Sequence, residues 1–413
     1  MRRRVVVTGL GVVSPIGNDV ATTWRSLLEG RSGAGPITKF DAERFAVRFA
    51  AEVKGYDPLQ TLERKEAKRA DLYTQYGVSS AVEAMADAGF GENGYDANQA
   101  GVIFGSGIGG ILTFEEQHKA YLERGPNRIS PFFVPMFISD IAAGVISMRF
   151  GLKGPNFATV SACSTSAHAI GTAFRAVQYG DADVMLAGGS EAAVTPMAIG
   201  GFGNMKALSE RNDSPETASR PFDATRDGFV LGEGAGMIVM EELEHARRRG
   251  ARIYGEIVGY GATGDAYHLT GQPDAHEGLQ RAMRRALQDA SMQPDEIDYV
   301  NAHGTSTPLN DQNESKAIRA VFGEHADVLS VSSTKSCTGH MLGAAGAVEF
   351  IACALAIKNG IVPPTINYRE PDPECDLDYT PNTPRERTVR AAISNSSGFG
   401  GHNASIAVRR FDA

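Results

Sequence analysis

Asn156-Phe-Ala-Thr-Val-Ser-Ala-Cys163-Ser-Thr-Ser-Ala-His168-Ala-Ile-Gly171 is the stretch on which the reading of the chain turns. Phe157 to Val160 reads as a short buried strand, because it is apolar, ends in β-branched residues and follows Gly154-Pro155. Ala167, Ile170, Phe174 and Val177 then recur three or four residues apart, the period of a helix. Cys163 is thereby placed at a strand-to-helix turn, where unpaired N–H groups and the positive end of the helix dipole converge. Both favour a thiolate, so the spacing predicts a sulfur ionised near neutral pH and able to act as a nucleophile. A free cysteine is by default a small buried hydrophobe. Here Ser161, Ala162, Ser164, Thr165 and Ser166 leave room for a substrate beside the sulfur, where a packed core would place bulk.

Composition narrows the class. A chain of 413 residues that is 42% hydrophobic can bury a large core and hold two or three domain-sized units. Its 47 glycines fall in short runs, which suits tight turns and close backbone approaches. The net charge of -9 argues against a general nucleic-acid binder, and an acidic partner would need a local basic patch. Cys163, Cys337, Cys353 and Cys375 show no CxxC spacing, so reduced thiols and a reducing compartment are expected. No apolar leader of useful length precedes the first strand, and no run of eighteen apolar residues occurs. The expectation is a cytoplasmic protein without a membrane span.

Working outward, Arg4 to Thr8 is a strand closing at Gly9-Leu-Gly11, and Asp19 to Leu28 is a helix. Leu62 to Ala88 reads as one long helix, with Arg64, Lys65, Lys68 and Arg69 on one exposed face. Such a cluster is by charge spacing alone a solvated surface. Gly101 to Phe104 is a strand leading into Gly105-Ser-Gly107-Ile-Gly-Gly110. That fits G-x-G-x-x-G, but Glu123, the acidic residue at about the right distance, does not stand at a strand end, so these glycines are read as turn geometry. Strands follow at Val184 to Ala187 and Met237 to Met240, and a charged helix ends at Gly250.

The second half repeats the first. Ile253 to Val258 with Gly259-Tyr-Gly261 echoes the opening strand, His276 to Ala290 the long helix, and Ile297 to Asn301 the strand at Gly101. Val331 to Thr334 precedes a helix running to Lys358, as Val160 precedes the Cys163 helix. A duplicated α/β unit divided at residues 1–250 and 251–413, with sheets covered on both faces, accounts for this order.

Three further motifs supply what a thiolate would need. Asn301-Ala-His303-Gly-Thr305-Ser-Thr307-Pro308 sets a histidine past a strand end, where a lone histidine is more often an ordinary hydrogen-bonded residue. His340 is read as opening a helix, whose dipole would keep the imidazole neutral and able to donate to an enolate oxygen, with Lys335 near enough to tune the field. Asn395-Ser-Ser-Gly-Phe399-Gly400-Gly-His402-Asn403 can turn backbone N–H groups toward a carbonyl oxygen, half of an oxyanion hole with the N–H of Cys163, or can be only a glycine hairpin.

Val160-Ser-Ala-Cys-Ser-Thr-Ser, Val300-Asn-Ala-His-Gly-Thr-Ser-Thr-Pro, Ser333-Thr-Lys-Ser-Cys-Thr-Gly-His-Met-Leu-Gly-Ala-Ala-Gly and Ser394-Asn-Ser-Ser-Gly-Phe-Gly-Gly together resemble the β-ketoacyl-acyl-carrier-protein synthases. The likeness covers essentially the whole chain and is greatest to the type II condensing enzymes of dissociated fatty-acid synthesis. It implies a thiolase-like fold of five α/β/α/β/α layers with two mixed sheets, usually a homodimer. It implies that Cys163 takes an acyl group from acyl carrier protein as a thioester. Malonyl carrier protein then loses its carboxylate and attacks, giving a 3-oxoacyl chain. By the same resemblance His303 and His340 polarise the malonyl carbonyl, and Lys335 holds the electrostatics. Phe399 gates the pocket beside Gly400, and Thr305 and Thr307 bond the pantetheine arm. Ile108 and Phe202 line the acyl pocket and suit medium-to-long saturated primers. The carrier-docking basics match Lys65, Lys68, Arg69 and Lys206, with Arg128 beside them. No cofactor is implied, although a structural monovalent cation would lie near Asn301, Glu349 and Asn395. His402 stands where many bacterial members carry threonine.

Rival readings have discriminating features. A thiolase acting on coenzyme A esters carries a second cysteine near the C-terminal glycine loop, where Ser396 and Ser397 stand here. A chain-length partner subunit of a polyketide synthase lacks the nucleophile. A cysteine hydrolase would release free acid, and a polyketide-type ketosynthase shares the motifs. Metal binding through Cys337 and His340 lacks a second ligand pair.

Overall fold

β1 (Val5–Val13), β2 (Ala100–Gly105), β3 (Asn156–Phe157), β4 (Val184–Glu191) and β5 (Gly234–Glu242) form the first half of the sheet structure. β6 (Gly255–Gly264), β7 (Tyr299–Asn301), β8 (Ser330–Ser332), β9 (Ala391–Gly398) and β10 (His402–Arg409) form the second. The computed structural model describes residues 2–90 and 94–412. In space the strands run β3-β2-β4-β5-β1 and then β6-β10-β9-β7-β8, so the second half reproduces the order of the first. Pairing directions repeat too: β2 is parallel to β3 and β4, β7 to β8 and β9, and the remaining pairs within each half are antiparallel.

The two expected sheets are these five-stranded halves, and they are not separate. Val5, Val6 and Val7 of β1 pair antiparallel with Ile257, Glu256 and Gly255 of β6, a short seam that makes one continuous ten-stranded ladder. Periodicity cannot reveal such a seam, because it reports which face of a strand is buried and not what borders its edge.

Helices fill three layers around the halves. α1 (Leu72–Asp87) and α2 (Ile141–Phe150) cover the first half, and α4 (Glu277–Ala290) with α5 (Pro308–Phe322) covers the second. α3 (Thr165–Tyr179) and α6 (Ala345–Asn359) lie between, each touching strands of both halves and the other helix. This is the α/β/α/β/α layering expected. A helix with a sheet on each side must be apolar all round, and every residue of α6 from Ala345 to Ile357 is buried. The stretch Leu342–Asn359 is also long and apolar enough to cross a membrane by length and composition, but 89% of it is buried inside the fold.

Glycines at matching places let the outer helices seat. A Cβ on Gly11 would meet the Ser80 carbonyl oxygen of α1 at 1.9 Å, and one on Gly261 would meet that of Ala282 of α4 at the same distance. The Gly-x-Gly read as closing each opening strand lies within it, since β1 runs on to Val13 and β6 to Gly264, and is a contact surface for a helix backbone.

Two expectations change. The helix read over Leu62 to Ala88 is broken into Arg64–Ala67 and α1. Asp71 interrupts it with an extended backbone, its carboxylate accepting from the Tyr73 N–H at the start of α1. The strand read as buried over Phe157 to Val160 is only Asn156–Phe157 and lies at the sheet edge, with Phe157 45% and Val160 59% exposed. An apolar, β-branched run reads the same whether its cover is its own chain or something outside it.

Candidate active site

The starts of α3 and α6 meet in the middle layer. A Cβ on Gly346 would lie 3.0 Å from the Ala167 nitrogen, and the Ser166 hydroxyl accepts from the Ala347 N–H at 2.9 Å. Each helix is preceded by a 3₁₀ turn, Ala162–Ser164 and Leu342–Ala344, and the two turns touch. In each the first residue is left-handed without being glycine, Ala162 with φ 51° and Leu342 with φ 45°. The duplication places Cys163 and Gly343 at equivalent points, a thiol in one half and bare backbone in the other. Strained turns of this kind project the next residue into a cavity.

That cavity has a volume of about 630 Å³. Cys163, His303 and His340 line it, as do the hydroxyl pair Thr305 and Thr307, whose Oγ1 atoms lie 2.9 Å apart. Ile108, Phe202 and Phe399 form apolar wall, and Lys206 reaches the rim, where its ammonium is 3.0 Å from Glu210. Lys335 lies behind the wall and Gly400 does not line it, so of the glycine loop only Gly398, Phe399 and Gly401 face the cavity. Gly400 and Gly401 supply left-handed turns, φ 89° and 75°, and Gly398 packs so closely on the Cys163 nitrogen that a Cβ would sit 3.1 Å from it. The Phe399 N–H points at the Cys163 sulfur.

The ionisation of the sulfur differs from the expectation. Burial pushes the Cys163 thiol up to about 12; the Lys335 charge opposes this, while Glu191 and Glu349 reinforce it. Burial thus works against the thiolate that the helix start favours.

Both imidazoles are uncharged. Burial holds His303 and His340 well below the ordinary histidine range, and the Lys335 ammonium pushes each further down. For His340 the cause differs from the one read in the sequence. It precedes α6 by five residues, sits in a bridge to Leu231 and hydrogen-bonds through its own N–H to Val230, so no dipole is aimed at it. The two rings are edge to face with centroids 5.3 Å apart, and Phe229 packs on His340 at the same separation. Lys335 is ion-paired with Glu349, each 2% exposed, and donates to the His303 carbonyl oxygen at 2.6 Å.

Several contributors escape sequence reading. Glu314 on α5 accepts the N–H groups of His303 and Gly304 at 2.8 and 2.7 Å and fixes the histidine loop. Glu191 accepts from Gly107, Ile108 and Gly343 and from the Ser106 hydroxyl, tying the Ile108 turn to the turn before α6. His276 also lines the cavity. Each acid is an isolated residue in its own element, and only the tertiary structure gives it a partner. His402, by contrast, is exposed and outside the lining, with its ring centroid 6.5 Å from that of His168. Lys65, Lys68, Arg69 and Arg128 are exposed and also lie outside the lining. Among the described residues neither Lys65 nor Lys68 pairs with a carboxylate, and the Arg69 guanidinium stacks 4.3 Å over the Phe132 ring.

A duplicated α/β fold with a cysteine on a strained turn, opening with two imidazoles onto one cavity, defines a thiolase-like acyl-transfer enzyme. The chain matches the models of the beta-ketoacyl synthase N-terminal domain over residues 2–246 and C-terminal domain over residues 254–369. It is 54% identical to 3-oxoacyl-[acyl-carrier-protein] synthase 2 of Staphylococcus aureus (strain N315) over 411 residues, covering 100% of this chain and 99% of that one. The proteins of the same name from Coxiella burnetii and Synechocystis sp. are 52% and 51% identical, each over 99% of both chains. Among solved structures it is similar to a ketosynthase in complex with its type II polyketide-synthase acyl-carrier protein, at 38% identity and a TM-score of 0.93 over 100% of both chains. A beta-ketoacyl synthase from Burkholderia phymatum gives 37% and 0.93, covering 99% of this chain and 100% of that one. The chain belongs to the beta-ketoacyl synthase family.

Proposed function

We propose that the chain catalyses the decarboxylative condensation of malonyl-acyl carrier protein with an acyl group held on Cys163, yielding 3-oxoacyl-acyl carrier protein, CO2 and free carrier. The carrying observation is that two uncharged imidazoles, His303 and His340, share one cavity with the Cys163 thiol. In the first half-reaction a neutral imidazole takes the thiol proton as sulfur attacks the acyl thioester. The N–H groups of Cys163 and Phe399 hold the oxyanion, and the carrier leaves as its thiol with that proton. In the second, imidazole N–H groups polarise the malonyl thioester carbonyl, the C–C bond to the carboxylate breaks, and its electron pair forms an enolate. The enolate attacks the acyl carbon, the Cys163–acyl bond breaks with its electron pair on sulfur, and that thiolate takes a proton from water to restore the thiol. Neutral rings suit this step, since they donate to the oxygen without supplying a proton that would quench the carbanion.

Lys335 tunes both rings, Thr305 and Thr307 bind the pantetheine arm, and Ile108, Phe202 and Phe399 bound the acyl pocket, with Gly400 giving the loop its turn. Lys65, Lys68, Arg69 and Lys206 would dock the acidic carrier, which fits the unpaired ammonium groups of Lys65 and Lys68. The reading includes two units, 1–250 and 251–413, a cytoplasmic location in keeping with four free cysteines, and a homodimer. The dimer is supported by the exposed apolar edge at Phe157 and Val160. The residues near Asn301, Glu349 and Asn395 fit a monovalent cation. Asn301 Oδ1 and Glu349 Oε2 are buried acceptors without a protein donor, whereas Asn395 Oδ1 already accepts from Ser405. Such a cation would neutralise that carboxylate oxygen.

Purified protein with malonyl carrier and a series of acyl carriers should yield 3-oxoacyl carrier and one CO2 per turnover. Release of free acid in excess of that product would indicate hydrolysis instead. Full-length relatives at 51–54% identity weigh toward fatty-acid elongation over the polyketide alternative, whose structural neighbours are at 38%.

A further inference from the structure

His276 has no part in the chemistry above, yet it is fully buried, lines the cavity and stands in a left-handed conformation (φ 45°, ψ 57°). Ala275 before it is left-handed as well, φ 52°. Glycine would take this backbone without strain. A side chain kept in such a conformation marks an interaction that the surrounding structure enforces.

The interaction is with Asn403. His276 Nε2 lies 3.0 Å from Asn403 Oδ1, and burial keeps the ring uncharged, so Nε2 carries the hydrogen and donates. The same oxygen accepts from the Ser397 hydroxyl at 2.9 Å. The Asn403 amide nitrogen donates to Asp265 Oδ1 at 2.6 Å and to the Gly401 carbonyl oxygen at 3.4 Å. Ser397 and Gly401 flank the loop that presents Phe399 to the sulfur, so one amide bridges the loop's entry and exit. Were that amide reversed, its oxygen would face the Asp265 carboxylate and its nitrogen the His276 N–H. The Asp265 carboxylate and the Gly401 carbonyl, which only accept, set the amide's orientation, and the ring takes the tautomer that donates to its oxygen and holds it there.

We propose that His276 is a positioning residue, which by bracing the Asn403 amide holds the Phe399 N–H beside Cys163, where the oxyanion forms during acyl transfer. The catalytic consequence rests on the condensing reading above; the structural one does not. His276→Gly removes the ring and relieves the backbone, so thermal stability should stay at or above that of the parent. Acyl-enzyme formation from acyl carrier should fall roughly 10- to 100-fold in kcat, the scale of a misplaced catalytic group, with KM unchanged. His276→Gln, which keeps a donor, should recover part of that loss. In an Asn403→Ala background His276→Gly should cost nothing further.

Hydrogen exchange at the amides of residues 398–401 reads the loop without substrate. It should quicken about fivefold in His276→Gly, the scale of one neutral hydrogen bond. Faster exchange in a chain that never condenses would sink the function and leave the positioning role standing. Unchanged exchange, a parental acylation rate in His276→Gly, or additive losses in the double variant would overturn the proposal.

Discussion

The ammonium group of Lys335 donates to the backbone carbonyl oxygen of His303 at 2.6 Å, beneath two imidazoles that burial keeps unprotonated and that its charge pushes further down. Glu349 is its ionic partner in a site closed to water, so the charge is fixed in place. A buried pair of this kind contributes little net stability, and losing one member leaves the other uncompensated. Its value here is electrostatic.

Lys335→Met should therefore act through pH. With the cation gone, the pKa values of His303 and His340 rise, and a larger share of each ring is protonated as pH falls toward 6. The acid limb of the pH–rate profile for malonyl decarboxylation should move upward by about one unit or more, the size of a neighbouring-charge effect. Pairing the change with Glu349→Gln removes the stranded carboxylate, and that double variant should keep the shifted limb. An acid limb that stays where the parent's lies would mean that burial alone keeps the rings neutral.

A thiol raised to about 12 also makes a measurable statement. Alkylation of Cys163 by iodoacetamide should climb with pH across the neutral and mildly alkaline range, because only the thiolate reacts. An unperturbed cysteine would level off above about 8.5. A plateau below pH 8 would restore the resting thiolate that the helix-start position suggested. Cys337 and Cys353 lie outside the cavity lining and should label far more slowly than Cys163.

The contrast between these two groups shows what a sequence carries. Cys163, His303, His340 and the Gly398–Gly401 loop were legible because each sits in a loop motif of small residues at a strand end, a local signature. The duplication was legible in the order of strands and of their Gly-x-Gly segments. Ionisation was not, because it depends on how deeply a group is sealed, and pattern reports only which face turns inward. His340 came out neutral for a reason other than the one read, burial and Lys335 in place of a dipole. Phe157 reads as buried in sequence because apolar character does not say what covers it. His276 gave no signal at all, since its partner Asn403 is 127 residues away and a histidine before a helix is unremarked.

The exposed edge strand leads to a prediction about assembly. Phe157 and Val160, with Met148 74% exposed on α2, leave apolar surface that a monomer would ordinarily cover. Phe157→Asp with Val160→Asp should convert the species seen by sedimentation from dimer to monomer at micromolar concentration. A parent protein that already sediments as a monomer would remove the dimer.

Carrier docking makes a separable claim. Lys65, Lys68 and Arg69 lie outside the cavity lining, so Lys65→Glu with Arg69→Glu should leave the acylation rate from a small acyl thioester unchanged. The same pair should raise KM for acyl carrier several-fold at low salt, with the difference shrinking as salt screens the surface. Equal losses with both substrates would mean that the substitutions disturb the fold near Asp71, and the patch would have no docking role.

Ile108 offers the sharpest reading of the pocket. It lines the cavity with Cys163, and its N–H is held by Glu191 at 3.1 Å, so the side chain is set by a backbone that cannot drift. A pocket of fixed depth discriminates primers by how many methylenes it can bury, and each buried methylene is worth about 0.8 kcal/mol, roughly a fourfold change in kcat/KM. Ile108→Gly should open space next to the sulfur and move the optimum toward other chain lengths without lowering the rate of malonyl decarboxylation, which rests on His303 and His340. Ile108→Trp should reject longer primers first and leave the shortest as reactive as in the parent. A series of acyl carriers assayed one by one gives the profile directly. Identical profiles for parent, Gly and Trp would show that the acyl chain lies elsewhere, and the apolar wall beside Phe202 would then be the place to look.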